Sequence, residues 1–593
     1  MSVRPIRIGN FSGYLGDRMT ALDEVLAGDP VDVVMGDYLA EVTLAILAES
    51  HRKGRAGYVA YFLRQLRPHL GTIAERGIKV VTNAGGFDPA GLATAVRELA
   101  AGDGIPLRVA YVEGDAVLDR LDEFRADGLA LEHLDTGAPL ADWGFEPIAA
   151  NAYLGGFGIA AALQAGADIV VTGRVTDASL TAGPAAWWHG WSPDDYDALA
   201  GAVTAGHIIE CGAHATGGNF SGFRSVPGMV KPGFPIAEIA ADGSSVITKH
   251  GRDGGTVTVD TVIAQLVYEI QGPRYLNPDA TVHLDTVRLE QVGPDRVAIG
   301  PVTGSAPPPT TKVATFAEVG YQMVQFLFCS APDVAEKVAL LRAQLHAHLD
   351  DRVDQLDVTP LGTAAEDPAS QWEATVPIRV MATARTSEQL RGFTQVMGSI
   401  YLQGFPGFFH DTHSPRVTTP WPRIDYWPAL LPTDRLLHRA VFEDGTTVDA
   451  PVATGAEPSP QPVHPEPPEL AVGATRRVPL GTVAYARSGD KGGNCNIGVW
   501  LPREIEGPEA WEWLRRALST ENIRALLPEA KDCRVIRHEF PELRAVNLVL
   551  VGLLGNGGSS NLRVDQVGKS VGEYLRAKHV PIPETVLDGI GRR

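Results

Sequence analysis

The strongest constraint on the fold is a series of five short apolar runs near the start of the chain, each followed by glycine or polar residues. Helix-length segments separate the runs, which are PIRIGNF, VDVVMGD, GIKVVTNAGG, PLRVAYVEGD and GADIVVTGR. Continuous apolar runs of this length are typical of strands buried on both faces, and the segments between them are typical of parallel crossover helices. The pattern predicts an α/β fold with a doubly wound, mainly parallel-sheet N-terminal domain.

The remainder of the chain divides by composition. Between about residues 242 and 312, threonine- and valine-rich segments such as GTVTVDTVIAQLVYEIQG predict antiparallel strands and thus a β-rich insertion. Prolines concentrate in residues 451–475 without a hydrophobic period, which predicts an extended linker. Because the chain is too long for a single core, we expect a large α/β domain over residues 1–450 and a small α+β domain over residues 476–593.

Composition argues against several classes of partner. The formal net charge of -20 opposes binding to nucleic acid or to anionic lipid surfaces. The four cysteines are scattered without a CxxC pair, so neither a disulfide scaffold nor a zinc site is expected. The N-terminal segment lacks the apolar region of a signal peptide, and no stretch of the sequence is apolar for long enough to span a bilayer. We therefore expect a cytoplasmic protein with a small-molecule substrate.

The loops that follow strands are the first candidates for a site, because ligands of open α/β sheets bind beyond the carboxyl ends of the strands. The loop GNFSGYLGD carries Gly9, Gly13 and Gly16 before Asp17, and it predicts either an anion-binding loop or a plain tight turn. In VVTNAGGFDP, the amide of Asn83 can both donate to and accept from a substrate.

A further strand-end segment, GADIVVTGRVTDASL, contains the densest group of donors and acceptors in the large domain. The guanidinium of Arg174 can bind a carboxylate or phosphate, and Asp177 can act as a base or as an orienting group. The alternative is an ion pair between the two, with hydroxyl side chains capping the next helix.

The segment AGHIIECGAHATGGNF brings titratable and amide groups together at His207, Glu210, Cys211, Gly217, Gly218 and Asn219. Glu210 and His207 are candidate proton-transfer groups. Cys211 is either a nucleophile or a small buried core residue. Asn219 and the amides of the two glycines are candidate substrate-binding groups.

The C-terminal domain contains two glycine-rich segments, ARSGDKGGNCNIG and LLGNGGSSNLRVD. The first predicts a loop after a strand and contains Arg487, Asp490 and Lys491. Two such loops can face each other and enclose an anion with backbone amides and cationic side chains. The alternative is turn formation alone, since aspartate and glycine favour turns for conformational reasons.

Three of these motifs, GADIVVTGRVTDASL, AGHIIECGAHATGGNF and RSGDKG, and the segment PGFF at residues 406–409 occur in an order that resembles the acyclic terpene utilisation family AtuA. The resemblance covers almost the entire chain and implies a large AtuA-type domain followed by a small domain of ferredoxin-like fold. It also implies a setting in the catabolism of acyclic terpenes or branched acids, where intermediates travel as coenzyme A thioesters. It supplies no catalytic residues, and the GGNCN continuation after RSGDK leaves Cys495 without a family role.

The leading hypothesis is an enzyme that hydrates, dehydrates or cleaves an acyl-CoA or related carboxylate intermediate. Arg174 would hold an anionic group, and Asp177 or Glu210 would move the proton. Asn83, or the amides near Gly217 and Gly218, would stabilise an enolate oxygen. The RSGDKG loop would bind phosphate or complete the site of a neighbouring subunit in a homo-oligomer. No cofactor is required, although a coenzyme A thioester is a possible substrate.

Two alternatives remain open. One is a non-catalytic subunit or scaffold of a CoA-dependent complex, with the small domain as its docking module. The other is a metal-assisted hydrolase that uses Asp17, Asp37 and Glu41. The motif HDTH at residues 410–413 superficially resembles a metal pair, but its setting before Pro415 predicts a surface turn.

Overall fold

The computed structural model describes residues 4–349, 351–411, 419–469 and 473–589. The chain forms two compact units. The first contains residues 1–144, 148–316 and 426–593, and the second contains residues 145–147 and 317–425. The domain boundaries predicted from composition stay predictions.

The N-terminal part of the chain alternates strands and helices in the predicted order. Its elements are β1 (Ile6–Ser12), α1 (Ala21–Leu26), β2 (Val33–Gly36), α2 (Glu41–Arg52), α3 (Ala60–Leu66), α4 (Leu70–Arg76), β3 (Lys79–Thr82), α5 (Pro89–Gly102), β4 (Val109–Glu113), α6 (Leu121–Ala126), β5 (Pro147–Ala152), α7 (Phe157–Gln164) and β6 (Ile169–Thr172). Each of the five apolar runs forms a strand, and the five strands lie side by side in the order β1-β2-β3-β6-β4. All four of their pairings are parallel. The prediction of an α/β fold is confirmed.

The next segment adds antiparallel strands to the β1 side of this sheet. Its elements are α8 (Ser179–His189), α9 (Tyr196–Ile209), β7 (Pro235–Ile239), β8 (Ser245–Lys249), α10 (Val259–Leu266), β9 (Arg274–Leu276), β10 (Thr281–His283), β11 (Leu289–Gly293), β12 (Arg296–Ile299) and β13 (Thr303–Ser305). The strands β7, β8, β12 and β11 continue the large sheet with antiparallel pairings. The large sheet is therefore mixed rather than mainly parallel, and the doubly wound arrangement of its helices stays a prediction.

The helix α10 corrects the prediction that GTVTVDTVIAQLVYEIQG is β-structure. Thr258 caps this helix, because its hydroxyl accepts from the backbone N–H of Thr261 at 3.2 Å while the Thr261 hydroxyl accepts from the N–H of Thr258 at 2.9 Å. Val262, Ile263 and Leu266 then enter the core. The reciprocal cap and tertiary burial outweigh the β preference of valine and threonine.

The second unit is built on an antiparallel sheet. The elements of this stretch are β14 (Thr310–Ser330), α11 (Val334–Leu349), β15 (Gln355–Pro360), β16 (Thr375–Ala384), α12 (Phe393–Ser399), β17 (Phe408–Phe409) and β18 (Trp421–Pro432). Within the unit, the strands follow the order β15-β16-β14-β17. Leu341 and Leu345 of α11 pack with Ile378 and Val380 of β16 in one apolar cluster.

The C-terminal part belongs to the first unit. Its elements are β19 (Arg439–Val441), β20 (Thr447–Asp449), β21 (Thr475–Pro479), β22 (Tyr485–Lys491), β23 (Asn494–Trp500), α13 (Pro508–Ala517), α14 (Thr520–Leu526), β24 (Arg534–Phe540), β25 (Ala545–Val551), α15 (Val571–Ala577), β26 (His579–Pro583) and α16 (Glu584–Asp588). The strands β19 and β20 complete the large sheet of 11 strands beside β4. A separate antiparallel sheet has the order β22-β23-β25-β24 and its own apolar cluster, which includes Ile497, Trp513 and Leu548.

The motif RSGDKG does not form the loop that the sequence predicted. Arg487, Asp490 and Lys491 lie on β22, which pairs with β23 across a turn at Gly492 and Gly493. Gly492 has a φ of 62°, a left-handed conformation that favours glycine. The hairpin gives the polar side chains a more rigid base than a loop would.

No helix among the described residues is both long and apolar enough to cross a membrane.

Candidate active site

The first polar group lies at the carboxyl ends of β2 and β3. The side-chain amide of Asn83 donates to the Asp37 carboxylate at 2.7 Å, and its oxygen accepts from the Tyr38 N–H at 2.8 Å. Burial, with a contribution from the charge of Asp177, raises the pKa of Asp37 well above its ordinary value. Since both ends of the amide are bonded within the protein, Asn83 orients Asp37.

Arg174 follows β6 and is only 3% exposed. Its Nη1 donates to the Asp177 carboxylate and to the backbone oxygen of Val175 at 3.0 Å. The guanidinium carbon lies 4.1 Å from the ring centroid of Tyr153, a cation–π contact. Among the described residues, the buried Nε of Arg174 has no hydrogen-bond partner. The predicted ion pair is present, and one donor of the buried guanidinium is left for another acceptor.

Tyr153 joins Arg174 to a second cation. Its hydroxyl donates to Glu41 at 2.8 Å, and the same carboxylate oxygen accepts from Lys312 Nζ at 2.7 Å. The Lys312 Nζ also lies 4.5 Å from the Tyr153 ring centroid. Burial opposes the ionised form of Glu41, but Lys312 and Arg174 outweigh it and hold the pKa of Glu41 well below its ordinary value. Glu41 is therefore a carboxylate that holds Lys312 and Tyr153 in place.

His207 and Glu210 lie at the C-terminal end of α9. The Nδ1 of His207 is 3.2 Å from a carboxylate oxygen of Glu210, and the other oxygen of this buried carboxyl has no hydrogen-bond partner within the described parts of the chain. Burial, and then the charge of Asp177, raises the pKa of Glu210 well above its ordinary value. Burial, and then the charge of Lys491, lowers the pKa of His207 to about 4. The surroundings therefore favour the protonated form of the Glu210 carboxyl and the neutral form of the His207 imidazole.

Cys211 follows Glu210 and packs closely against the loop after β1. A methyl group placed on Gly13 would lie 2.6 Å from the carbonyl carbon of Cys211. Burial, together with the charges of Glu210 and Glu269, raises the pKa of the Cys211 thiol well above its ordinary value. A thiol that keeps its proton is a weak nucleophile. The structure therefore favours a packing role for Cys211, although its catalytic role stays untested.

The segment after Cys211 forms a tight turn. The N–H of Gly217 donates to the backbone oxygen of His214 at 3.2 Å, and the N–H of Gly218 donates to that of Ala213 at 2.8 Å. Both amides are thus used within the turn, which argues against the predicted contact of Gly217 and Gly218 with an enolate oxygen. Asn219 Nδ2 donates to His214 Nε2 at 2.8 Å.

Arg487 of β22 reaches this turn. Its Nη1 donates to the backbone oxygen of Asn219 at 3.0 Å, and its Nη2 lies 2.8 Å from His214 Nδ1. Its guanidinium carbon is 4.6 Å from the ring centroid of Tyr268. Burial and the charge of Arg487 lower the pKa of His214 well below its ordinary value, so the imidazole is neutral. Arg487 therefore fastens the C-terminal hairpin to the turn.

Asp490 and Lys491, further along β22, meet Glu269, which lies beyond the C-terminal end of α10. Lys491 Nζ is 3.7 Å from the Glu269 carboxylate, and Lys569 Nζ is 2.6 Å from it. Lys569 also lies 3.4 Å from Asp490. Burial and the charge of Glu269 raise the pKa of Asp490 to about 6. For Lys491, burial opposes the charge, but Glu269 and other anionic neighbours outweigh it and raise the lysine pKa.

Lys491 of the C-terminal hairpin acts electrostatically on candidate residues of the large domain. Its charge contributes to the pKa shifts of His207, Glu210 and Glu41, all of which belong to the large N-terminal part of the chain. The charge of Asp177 in turn contributes to the pKa of Lys491. The strand-end loops and the C-terminal hairpin therefore surround one common group of charges.

The two glycine-rich C-terminal segments also contact each other. The N–H of Leu554 donates to the backbone oxygen of Gly493 at 2.9 Å, and that of Gly552 donates to Asn494 Oδ1 at 2.9 Å. The two segments do lie against each other, whereas the anion site between them stays a prediction. Their contacts fix the hairpin that carries Lys491.

The predicted metal alternative finds no support in this geometry. The Asp17 carboxylate accepts from the N–H groups of Gly13 and Arg18, while Asp37 and Glu41 have the separate partners given above. No three His, Cys, Asp or Glu side chains of the described ranges are placed to hold a metal ion together. Of the HDTH motif, His410 packs 5.0 Å from the ring of Tyr401, and His413 lies outside the described residues.

We call the group of charges around Lys491, with the residues that hold it in place, the charge cluster. Sequence reasoning missed four of its members, namely Tyr153, Glu269, Lys312 and Lys569. Glu269 lies within a segment predicted to be β-structure, and neither Tyr153 nor Lys569 belongs to a motif quoted above. Lys312 did carry a signal, because a lysine inside the apolar strand sequence TTKVATFAEV requires a buried partner.

Residues 6–442 match the model of the acyclic terpene utilisation family protein AtuA. Residues 478–581 match the model of the AtuA ferredoxin-like domain. Both matches confirm the resemblance inferred from the motifs, including the ferredoxin-like fold of the C-terminal domain. No curated protein matches the chain.

Proposed function

The chain belongs to the acyclic terpene utilisation family AtuA, and we propose that it is an enzyme of acyclic terpene or branched-acid degradation. Its substrate would be an acyl-CoA or a related carboxylate intermediate. The reaction would be hydration, dehydration or carbon–carbon cleavage next to a carbonyl group. These reactions need proton transfer and charge stabilisation at one oxygen, and they need no redox cofactor.

The observation that carries the proposal is the buried pair of Glu210 and His207, 3.2 Å apart and under the influence of Lys491. In this pair the protonated carboxyl of Glu210, a proton donor, lies beside the neutral imidazole of His207, a proton acceptor. A carboxyl kept protonated at neutral pH by its surroundings is a device that enzymes use for general acid catalysis. The pair therefore supports proton transfer as the chemical step.

In a hydration, the two groups would act in sequence. His207 would take a proton from water, the resulting hydroxide would bond to the β-carbon, and the electron pair of the double bond would move to the carbonyl oxygen. Glu210 would then give its proton to the α-carbon, and His207 would return a proton to Glu210 through their contact. In a cleavage, His207 would take the proton of a 3-hydroxyl group, and Glu210 would protonate the carbon left by the broken bond.

The cations would bind the substrate. The ammonium of Lys491 would stabilise the oxygen that becomes negative when an enolate forms. The unpaired Nε of Arg174 would donate to an anionic group of the substrate, with Asp177 orienting the guanidinium. The remaining predicted residues, Asn83 and Arg487, would position this group of charges.

A non-catalytic scaffold is the second candidate, and one observation favours it. Arg174, Lys312 and Lys491 each lie beside a carboxylate of the chain itself. Ion pairs that are compensated within the protein can have a purely structural role, and the pair of Lys491 with Glu269 joins the C-terminal domain to the large domain. In the enzyme, a substrate would compete with these carboxylates for the cations. In the scaffold, no ligand would compete for them.

An assay of proton exchange at the α-carbon of the substrate distinguishes the enzyme from the scaffold. Branched 3-hydroxyacyl-CoA and enoyl-CoA thioesters, and their free acids, would be incubated with the protein in deuterium oxide and followed by NMR. We expect exchange or turnover with the wild-type chain and a loss of about 10²–10⁴-fold in Glu210→Gln, because the amide cannot give up a proton in its place. The rate should fall at low pH as His207 becomes protonated around pH 4, and at high pH as Glu210 loses its proton.

Asp260→Asn is the matched control. Asp260 is also a carboxyl whose pKa is raised by burial, but it accepts from Trp500 Nε1 at 3.2 Å, and none of its contacts involves the charge cluster. This variant should keep the wild-type exchange rate. If the thioesters and acids cause neither exchange nor a rise in the thermal midpoint, the enzyme proposal fails and the scaffold is favoured.

A further inference from the structure

We propose that Glu269 is a positioning residue of this site, held in place by Asn496 of β23, and that it fixes the position of the Lys491 ammonium. The inference rests on the proposed function only where it concerns the effect of Glu269 on turnover. The placement of Lys491 itself does not depend on that function.

The backbone of Glu269 is the first observation. Its φ of 52° lies in the left-handed region, which residues other than glycine adopt only at a cost in free energy. Such a conformation persists where the surrounding structure over-determines it, and it is concentrated at functional sites. Glu269 is therefore held against its own preference.

Asn496 supplies the restraint. Its side-chain oxygen accepts from the N–H of Glu269 at 2.8 Å, and its Nδ2 donates to the backbone oxygen of Ile270 at 2.8 Å. The Asn496 side chain is 1% exposed, so water does not compete for these bonds. One amide of the C-terminal domain thus clamps the backbone on both sides of the peptide that follows Glu269.

The carboxylate of Glu269 then organises two cations. It accepts from Lys569 at 2.6 Å and lies 3.7 Å from Lys491 Nζ. Burial opposes its charge, but the two lysines outweigh burial and lower the pKa of Glu269 to about 2. The group therefore remains ionised at every pH at which the protein would work.

Without this carboxylate, Lys491 would be drawn elsewhere. The other anions that act on it are Asp177 and Glu41, which already hold Arg174 and Lys312. Movement toward either would weaken the existing pairs and carry the ammonium away from its present position. Glu269 therefore keeps Lys491 available to a substrate oxygen.

The test measures the reactivity of individual lysines in the full-length protein. Wild type and Glu269→Gln would be labelled with acetic anhydride at pH 8 for short times, and acetylation would be quantified at each lysine by mass spectrometry. The loss of the neighbouring anion lowers the Lys491 pKa and frees its Nζ, so we expect its labelling rate to rise roughly tenfold, one pKa unit. Lys79, paired with Asp168 at 2.7 Å and outside this group of charges, is an internal control that should not change.

Two further variants separate the carboxylate from the backbone. Glu269→Gly removes the carboxylate but favours the left-handed conformation, and it should increase Lys491 labelling as Glu269→Gln does. Asn496→Ala removes the clamp and should increase it as well. Asn547→Ala is the matched control, because Asn547 of the adjacent strand β25 also donates a buried side-chain amide to this segment, at the backbone oxygen of Val267 (3.3 Å), but does not bond the backbone of Glu269 or Ile270.

The outcomes distinguish this inference from the proposed function. If Lys491 labelling is the same in wild type and in folded Glu269→Gln and Glu269→Gly, the inference is overturned whatever the activity. If labelling rises and thioester exchange falls mainly in kcat, the positioning role is supported. If labelling rises but no variant or wild type catalyses exchange, the placement of Lys491 stands and the enzyme proposal fails.

Discussion

Gly13 offers the most direct test of how closely the loop after β1 sets the position of the proton-transfer pair. In Gly13→Ala, the new methyl group would lie 2.6 Å from the carbonyl carbon of Cys211 and 2.9 Å from the N–H nitrogen of Gly212. Both are backbone atoms and cannot rotate away. Cys211 directly follows Glu210, so a shift of the Cys211 backbone that relieves the contact also moves the end of α9.

The size of the effect follows from this distance. Ordinary contact begins at 3.4 Å, so the two backbones must separate by about 0.8 Å. Overpacking of this kind typically costs about 1–3 kcal/mol of stability. A displacement near 1 Å at reacting groups costs about 10²-fold in rate. We therefore expect a modest loss of stability, measured by calorimetry, and a much larger loss of α-carbon exchange.

Gly102→Ala provides the control. Within the described parts of the chain, a methyl group at Gly102 would have no atom within 4 Å, and the residue ends α5 with an ordinary φ. It should be neutral or stabilising by about 0.5–1 kcal/mol, as alanine is in helices. The reasoning is refuted if Gly13→Ala matches the wild type in both thermal midpoint and exchange rate, or if the two alanine variants behave alike.

Three further predictions concern stability. Glu539→Gln should lower the free energy of unfolding of the C-terminal domain by about 3–5 kcal/mol, measured with denaturant, because it leaves the buried Arg537, 2.7 Å away, without its charge partner. Thr258→Ala should cost about 1 kcal/mol through loss of the α10 cap, whereas Thr258→Ser should restore it. Burial raises the pKa of Asp115 to about 6 from 3.8, so its contribution to stability is full below about pH 4 and is lost as the pH rises through 6. The loss of about 3 kcal/mol should be absent in Asp115→Asn, and a wild-type stability that is level between pH 4 and pH 6 would contradict it.

The parallel centre of the large sheet was predictable because its strands are buried on both faces. In that setting local composition and tertiary environment agree, as in the run GIKVVTNAGG that forms β3. An aspartate directly before a proline is typical of a helix start, and Asp88 before Pro89 caps α5 by accepting from the N–H of Gly91 at 2.7 Å. A cap depends on neighbours in sequence, which the sequence itself contains.

The candidate site was predictable only in part, because its members come from distant segments. His207, Glu210, Arg174 and Lys491 could be named from local motifs, but nothing local indicated that a cation of the C-terminal hairpin would act on a carboxyl near residue 210. RSGDKG was predicted to be a loop since glycine and aspartate favour turns, whereas pairing with β23 extends β22 through Lys491. Long-range pairing outweighed turn propensity there, as the capping box outweighed β propensity in α10.

The proline-rich linker tethers the strand that carries Lys491 to the large domain. Residues 451–469 carry no helix or strand, yet they connect the large domain to the hairpin that supplies its cation. A tether of this kind sets an effective concentration, so that the hairpin reaches its place at a rate independent of how dilute the protein is. If the chain were cut there, the same contacts would have to form between two separate molecules. Assembly of the charge cluster would then depend on the concentrations of the two fragments. In the intact chain, the linker makes formation of the site independent of protein concentration.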